Sequence, residues 1–470
     1  MPSTRQERKT DRRRRFEERQ YKSLTRKLEI GQPAWYFIIT MIIIILVDLL
    51  DNFTTSSTSN LTSSIVNDFF VNGTFLGKHY TYEEGLAMHN TISLFCNGVV
   101  IAAPFYKSLG DKYGRKPLFV ISTCGMALGM LVVYMSKNYI VYLIGSTMMM
   151  FFLGNDIQII YVLEESPAKH RAKIYSVLKA TGAMGVVFIP VLRNLVMHND
   201  PTRWRDIFYL PGLAGLFIGL IVLLFAKETR VFVNQRQAYL SIPFEERIEK
   251  EEKEKAEKKA VSNKNGVFNA IRYIWQKKDI RNLLLAKTVF DTVMVAMTYY
   301  ESVMYKAGMS TEQITTAEYF YPFMYAGSLL IAGVIADKFG RKRTIQLYGT
   351  VCIITFIAFL FSANRLMDPV LVGIANGLYL GSYWIGRDYM EIMVTEMVPT
   401  DIRASVIAGA GVAVLVGIVF GYVFAAITIQ FIPIWLMCAI LAVPLITVSL
   451  FMLTFKVPET MGTDYNDITE

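Results

Sequence analysis

Ionisable side chains inside otherwise apolar runs are the residues of this sequence with chemistry to offer. "LVDLLDNF" places Asp48 and Asp51 three apart, on one face of a helix. "FFLGNDIQII" carries Asp156 and "SVLKATG" carries Lys179. "KTVFDTVM" carries Asp291, with Glu301 further along, and "WIGRDYMEIM" carries Arg387, Asp388 and Glu391. Arg387 and Glu391 stand four apart and can pair along one helix face, while Asp388 points elsewhere. A charge in hydrocarbon is expensive, so such residues pair, line a water-filled space or take part in function. The acids outnumber Lys179 and Arg387, and a buried carboxylate without a base holds a proton or binds a cation. Lys179 and Arg387 together can clamp a carboxylate, the guanidinium through two parallel hydrogen bonds.

The runs that carry these charges read as membrane spans. Of 470 residues, 53% are hydrophobic, and they come in blocks. Runs such as Trp35–Leu50, Pro117–Met135, Tyr139–Leu163, Leu210–Ala226 and Val406–Ile427 approach or exceed the roughly 20 residues that cross a bilayer as a helix. About twelve such runs fall six on either side of a polar stretch around Lys227–Arg281. Hydrocarbon leaves backbone groups to be satisfied within each segment, so an all-α membrane protein is expected. The net charge of +9 gathers in Arg12–Arg15 and in the segments after every second span. That positive-inside pattern puts both termini in the cytoplasm and speaks against nucleic acid as a partner. One outer segment, Arg193–Arg205, breaks the pattern. Asp156 lies about 12 Å from Glu164, and Lys179 about 12 Å from Arg171, along their helices. Those matching depths predict an Asp156–Lys179 ion pair.

Other chemistries find little support. Cys96, Cys124, Cys352 and Cys438 sit in apolar runs and read as packing residues. His79, His89, His170 and His198 form no group, so no metal site is expected. No nucleophile–base spacing or phosphate loop speaks for an enzyme. Asn60 and Asn72 begin Asn-x-Thr triplets on the outer side and would permit glycans.

The chain is written twice. "GDKYGRK" at Gly110–Lys116 returns as "ADKFGRK" at Ala336–Lys342. "EESPAKHRA", with Glu164 and Arg171, returns as "TEMVPTDIRA", with Glu396 and Arg403. "KETR", with Glu228, returns as "PETMG", with Glu459. Three motif pairs in one order imply two halves, 35–226 and 283–455. A basic tail (1–34), a charged linker (227–282) and a carboxy-terminal tail (456–470) complete the chain. Gly114 and Gly340 permit the loop to turn, and Arg115 and Arg341 hold it at the membrane surface. Asp111 and Asp337 are expected to pair with Arg171 and Arg403, with Glu164 and Glu396 completing each cluster.

These motifs resemble the major facilitator superfamily, and within it the sugar porter and organic ion porter branch. One departure is Lys107, which stands where the second copy has Gly333. The resemblance implies twelve transmembrane helices in two six-helix bundles, with a solute site between them near the midplane. It implies a transporter driven by a proton gradient, with no cofactor, whose charged clusters shut the cytoplasmic side. Short helices in the linker would latch the halves together. Asp51 falls where proton-coupled sugar porters carry a first-helix aspartate, and Thr298–Gly308 resembles their seventh-helix ending. Val289 and Phe290 replace the paired glutamines of those porters, Lys179 a further glutamine, and Glu391 a tryptophan. A hexose is therefore not expected.

The leading expectation is proton-coupled uptake of a small organic anion by a monomer in the cell membrane. Its site would comprise Lys179, Arg387, Glu391 and Asp156 with an apolar wall of Phe290, Tyr299 and Trp384. Asp51, Asp48, Asp291 and Asp388 would carry protons. A proton-exchanging exporter of organic cations or amphipathic drugs is the alternative, and a non-transporting sensor ranks third.

Overall fold

The computed structural model of the protein describes residues 5–30, 35–99, 106, 109–110, 112–153, 157–166, 171–250, 253, 274–398 and 403–460. Asp111 and Asp156 lie outside the described residues, as do the side chains of Arg171, Asp337 and Arg403. An amino-terminal helix, α1 (Arg5–Ile30), precedes the first span. The first half then runs through α2 (Tyr36–Ser57), α3 (Tyr82–Asn97), α4 (Arg115–Tyr134), α5 (Tyr139–Leu153), α6 (Ile157–Glu165), α7 (Arg171–Ala183), α8 (Phe188–Leu195) and α9 (Tyr209–Phe225). After α10 (Arg230–Ser241) in the linker, the second half comprises α11 (Lys278–Thr292), α12 (Tyr300–Lys306), α13 (Thr311–Phe339), α14 (Arg341–Phe361), α15 (Pro369–Met397), α16 (Arg403–Thr428) and α17 (Ile434–Lys456).

Among the described residues, 8 helices are long and apolar enough to cross a membrane, and the bent pair Lys278–Met297 and Tyr300–Lys306 makes a ninth span. The shorter apolar α5, together with α3 and the more polar α15, brings the number to the expected twelve. Local chemistry starts these helices. Ser310 and Gln313 cap α13 reciprocally, as Thr81 and Glu84 cap α3, so two exposed backbone N–H groups are satisfied at each start. Asp368 accepts from the backbone N–H of Val370 at 2.9 Å to open α15.

The repeated motifs build the same clamp in each half. Glu228 Oε1 accepts the backbone N–H groups of Arg115 at 2.5 Å and Lys116 at 3.1 Å. Glu459 likewise accepts from Arg341 at 3.0 Å and Lys342 at 3.1 Å. A carboxylate at these helix starts meets exposed N–H groups and the positive end of the dipole. The Arg115 side chain reaches Glu164 at 3.1 Å, and Arg341 reaches Glu396 at 3.4 Å. Thr229 and Thr460 donate to those same two glutamates. The described contacts of each clamp stay within one half. They fasten the ends of three helices together, with Arg115 and Arg341 as cations at Glu164 and Glu396; the pairs expected of Asp111 with Arg171 and of Asp337 with Arg403 lie outside the described residues and side chains.

Glycine is required at both turns. Gly114 has φ 110 and Gly340 φ 95, and an added Cβ would stand 2.3 Å from Glu228 Oε2 or 2.6 Å from Glu459 Oε2. Gly114→Ala and Gly340→Ala are each expected to cost about 1–3 kcal/mol, through backbone strain and a displaced carboxylate. Thermal unfolding in detergent checks this against Gly327→Ala, whose added methyl meets nothing within 4 Å. Midpoints equal to that of the Gly327 variant would contradict it.

Helix α1 and the segment that follows α17 both reach the face that carries these clamps. Gln20 of α1 donates to the Lys112 carbonyl at 2.9 Å, and Glu459 follows α17. Helix α1 of the tail docks on α10: Leu24 is buried with Phe232, Val233 and Leu240. Glu17, only 2% exposed, accepts from Arg13 at 2.8 Å and pairs with Arg247 at 3.0 Å.

Candidate functional site: charged seams in both halves

The larger cluster joins α11 to α15. Lys287 and Asp291 stand one helical turn apart on α11, with Nζ 2.6 Å from Oδ2. Arg387 of α15 approaches the other oxygen, its Nε 3.4 Å from Oδ1. Glu391 lies 3.7 Å from Lys287, so two bases and two acids share one seam. Lys287 and Asp291 are buried, whereas the Arg387 side chain is 30% exposed and that of Glu391 50%. Arg387 lies over the Trp384 ring at 4.8 Å, a placement that favours a cation on an aromatic face. Phe290 stacks on Tyr383 at 5.3 Å, and the Tyr383 hydroxyl donates to the Asp291 carbonyl at 3.3 Å. Asp388 is exposed beside Arg387.

The first half carries a looser cluster between α2 and α7. Lys179 lies 3.7 Å from Asp48, which is fully buried, while the Lys179 side chain is 34% exposed. Asp48 fits there because Gly182 has no side chain: an added Cβ would fall 1.6 Å from Asp48 Oδ2. Asp51, 8% exposed, accepts from Gln158 of α6 at 3.3 Å. Tyr325 of α13 lies within electrostatic reach of both Asp48 and Asp388, one from each half. The two seams thus approach one another across Tyr325.

The structure brings Asp48 and Lys179 together, and Asp291, Arg387, Glu391 and Trp384. The pair expected between Lys179 and Asp156 lies outside the described residues, and Asp48 is the acid found at Lys179. Phe290 and Tyr299 are both fully buried. Tyr299 sits at the 40° bend between the two pieces of the α11–α12 span. Among the described residues no group of histidine, cysteine and acid side chains is placed to hold a metal.

Sequence reasoning missed Lys287. It lies well inside α11, and its spacing of four from Asp291 is the signal that could have flagged it as a partner. It also missed a buried cluster at the end away from the clamps. There Arg193 of α8, 1% exposed, lies between Glu301 of α12 at 3.8 Å and Glu318 of α13 at 3.5 Å. The basic outer segment that broke the charge pattern is thereby compensated. Arg193 faces two acids, and Arg205 meets Asp68 at 2.5 Å and the Ser136 carbonyl at 2.6 Å. Asn60, the first glycan candidate, is fully buried in the same place, whereas Asn72 is exposed.

Comparison with known proteins follows this architecture. The family model described as Major Facilitator Superfamily matches residues 36–386. A class H tetracycline resistance protein of Pasteurella multocida is 24% identical over 321 residues, covering 66% of this chain and 70% of that protein. A multidrug resistance protein, MdtL, of Salmonella typhi is 26% identical over 145 residues, covering 30% of this chain and only 36% of that protein. A solved D-xylose-proton symporter covers 91% of this chain and 99% of its own, with TM-score 0.63 and 15% identity. The inward-open xylose transporter XylE from E. coli covers 92% of this chain and 99% of its own, with TM-score 0.62 and 17% identity.

Proposed function

The chain belongs to the Major Facilitator Superfamily and is a multi-pass transporter of the cell membrane, and on that premise we propose that it exchanges amphipathic organic cations for protons. The observation that carries this reading is the occupation of the deep bases. Lys179 has Asp48 at 3.7 Å, Lys287 has Asp291 at 2.6 Å, and Arg387 has Asp291 at 3.4 Å. With Asp51, Asp388 and Glu391 added, carboxylates still exceed the bases among the described residues. A space of that balance attracts protons and organic cations in preference to carboxylates. Trp384 and Met294 offer apolar surface for the rest of such a solute. The relatives named as tetracycline and multidrug resistance proteins support a drug-like organic cargo.

The chemistry of exchange is competition for the same acids. A cation arriving at Asp388 and Glu391 raises the cost of keeping protons on neighbouring carboxylates, which release them; a returning proton displaces the cation. Alternation of the two halves then converts that competition into opposite fluxes.

Proton-coupled uptake of an organic anion is the second reading. It is favoured by the partial exposure of the Lys179 and Arg387 side chains and by pair distances of 3.7 and 3.4 Å, loose enough to exchange one carboxylate for another.

A thermal-shift panel of small organic cations and anions on purified protein separates the two, because a ligand stabilises the folded state by mass action. Cations are expected to raise the unfolding midpoint, more at pH 8 than at pH 6, since protons compete with them. Stabilisation by anions alone, weakened in Lys179→Gln and Arg387→Gln, would establish the second reading instead.

A further inference from the structure

The cluster around Arg193 joins the two halves at the end opposite the clamps. Arg193 comes from α8, and Asn60 and Ser63 follow α2, all in the first half; Glu301 on α12 and Glu318 on α13 belong to the second. All three ionisable side chains are about 1–2% exposed. Other polar contacts between the halves surround them: Asn194 donates to the Tyr319 hydroxyl at 2.9 Å, and Thr315 to Asn199 at 2.9 Å. This end is shut.

The charges do not balance. Two carboxylates face one guanidinium, and an uncompensated buried charge is far too costly to persist. The geometry distinguishes the two acids. Glu301 accepts the Ser63 backbone N–H at 2.8 Å and, on its other oxygen, the Ser63 hydroxyl. Both Glu301 oxygens are thereby satisfied by donors. Neither oxygen of Glu318 accepts a hydrogen bond among the described residues, and its one cation is Arg193 Nε at 3.5 Å. The other titratable groups nearby do not supply a positive charge. Among the described residues Tyr300 of α12, Tyr321 of α13 and Tyr82 of α3 lie within electrostatic reach of one or both acids, and Lys306 is already paired with Glu83 at 2.5 Å.

We propose that Glu318 is a proton-binding site that latches this end of the transporter. The two halves close there when Glu318 takes up a proton and part when it gives one up. With Glu318 neutral, Arg193 and Glu301 form a balanced pair that tolerates burial. With Glu318 ionised, the surplus charge is relieved only by admitting water, which means separating α8 from α12 and α13. The latch rests on the alternating opening of the two halves, and not on the identity or charge of the solute.

The test is the distance between spin labels at Lys78 and Arg365, exposed residues of the two halves at this end. They are placed in the full chain with Cys96 and Cys124 replaced by alanine. No solute and no gradient are present. In acid a single short distance is expected. As pH rises a longer distance should appear, the open-to-closed ratio changing about tenfold per pH unit for one linked proton. Glu318→Gln should stay short throughout, and so should Glu301→Gln, which leaves Glu318 as the balanced partner of Arg193. A distribution indifferent to pH in the unsubstituted protein overturns the latch, and that arm needs no variant to fold. A Glu318→Gln protein that still opens with rising pH overturns it as well. Flux that ignores pH alongside a distance that follows it would remove the proposed exchange and leave the latch standing.

Discussion

Asp291→Ala is expected to abolish transport and to destabilise the protein by about 3–5 kcal/mol, the cost of breaking a buried ion pair by removing one partner. Asp291 holds two bases at once, Lys287 at 2.6 Å and Arg387 at 3.4 Å, and its loss leaves both with Glu391 as the acid that remains beside Lys287. Unfolding midpoints and solute flux read the two consequences separately. Asp291→Leu combined with Lys287→Met restores an apolar balance, so stability should largely recover while flux stays absent. That non-additivity marks a coupled pair. Wild-type flux in Asp291→Ala would reduce the seam to a structural tie.

Arg193→Met is expected to have the second large effect, on conformation more than on folding. It leaves Glu301 and Glu318 facing each other with no base between them, and the closed outer end loses about 3–5 kcal/mol relative to the open one. That corresponds to a shift of roughly 10²–10⁴-fold in the open-to-closed ratio, readable as the long Lys78–Arg365 distance at neutral pH. Adding Glu301→Gln and Glu318→Gln removes the repulsion and should restore closure. If Arg193→Met leaves the distance short, the cluster does not hold this end shut.

How much of this was legible in the sequence depended on whether a residue's partner lay nearby or repeated. The apolar blocks and the doubled motifs marked the spans and the two halves, because hydrophobic length and internal repetition are properties of contiguous sequence. Gly114 and Gly340 were legible as turns for the same reason. The partners of the charged phrase were not: Glu228 stands 113 residues from Arg115, and the "KETR" and "PETMG" endings gave no sign that their glutamates cap helix starts. Lys179 was matched by depth to Asp156, a pair that lies outside the described residues; its contact with Asp48, which Gly182 lets in, went unforeseen because helix depth fixes height but not every neighbour that is reached. Arg193 broke the charge rule and was set aside with its loop. Its acids, Glu301 and Glu318, belong to the other half, and pairings that distant leave no local signature.

The central claim is that acids in the two seams trade protons for an organic cation. The most direct measurement uses protein reconstituted in liposomes with an imposed pH gradient, following accumulation of a fluorescent lipophilic cation. The account predicts uptake into vesicles that are acid inside, lost when a protonophore collapses the gradient and lost in Asp291→Ala. Cation flux of equal size with and without the gradient, or gradient-driven movement of a carboxylate in its place, would contradict it.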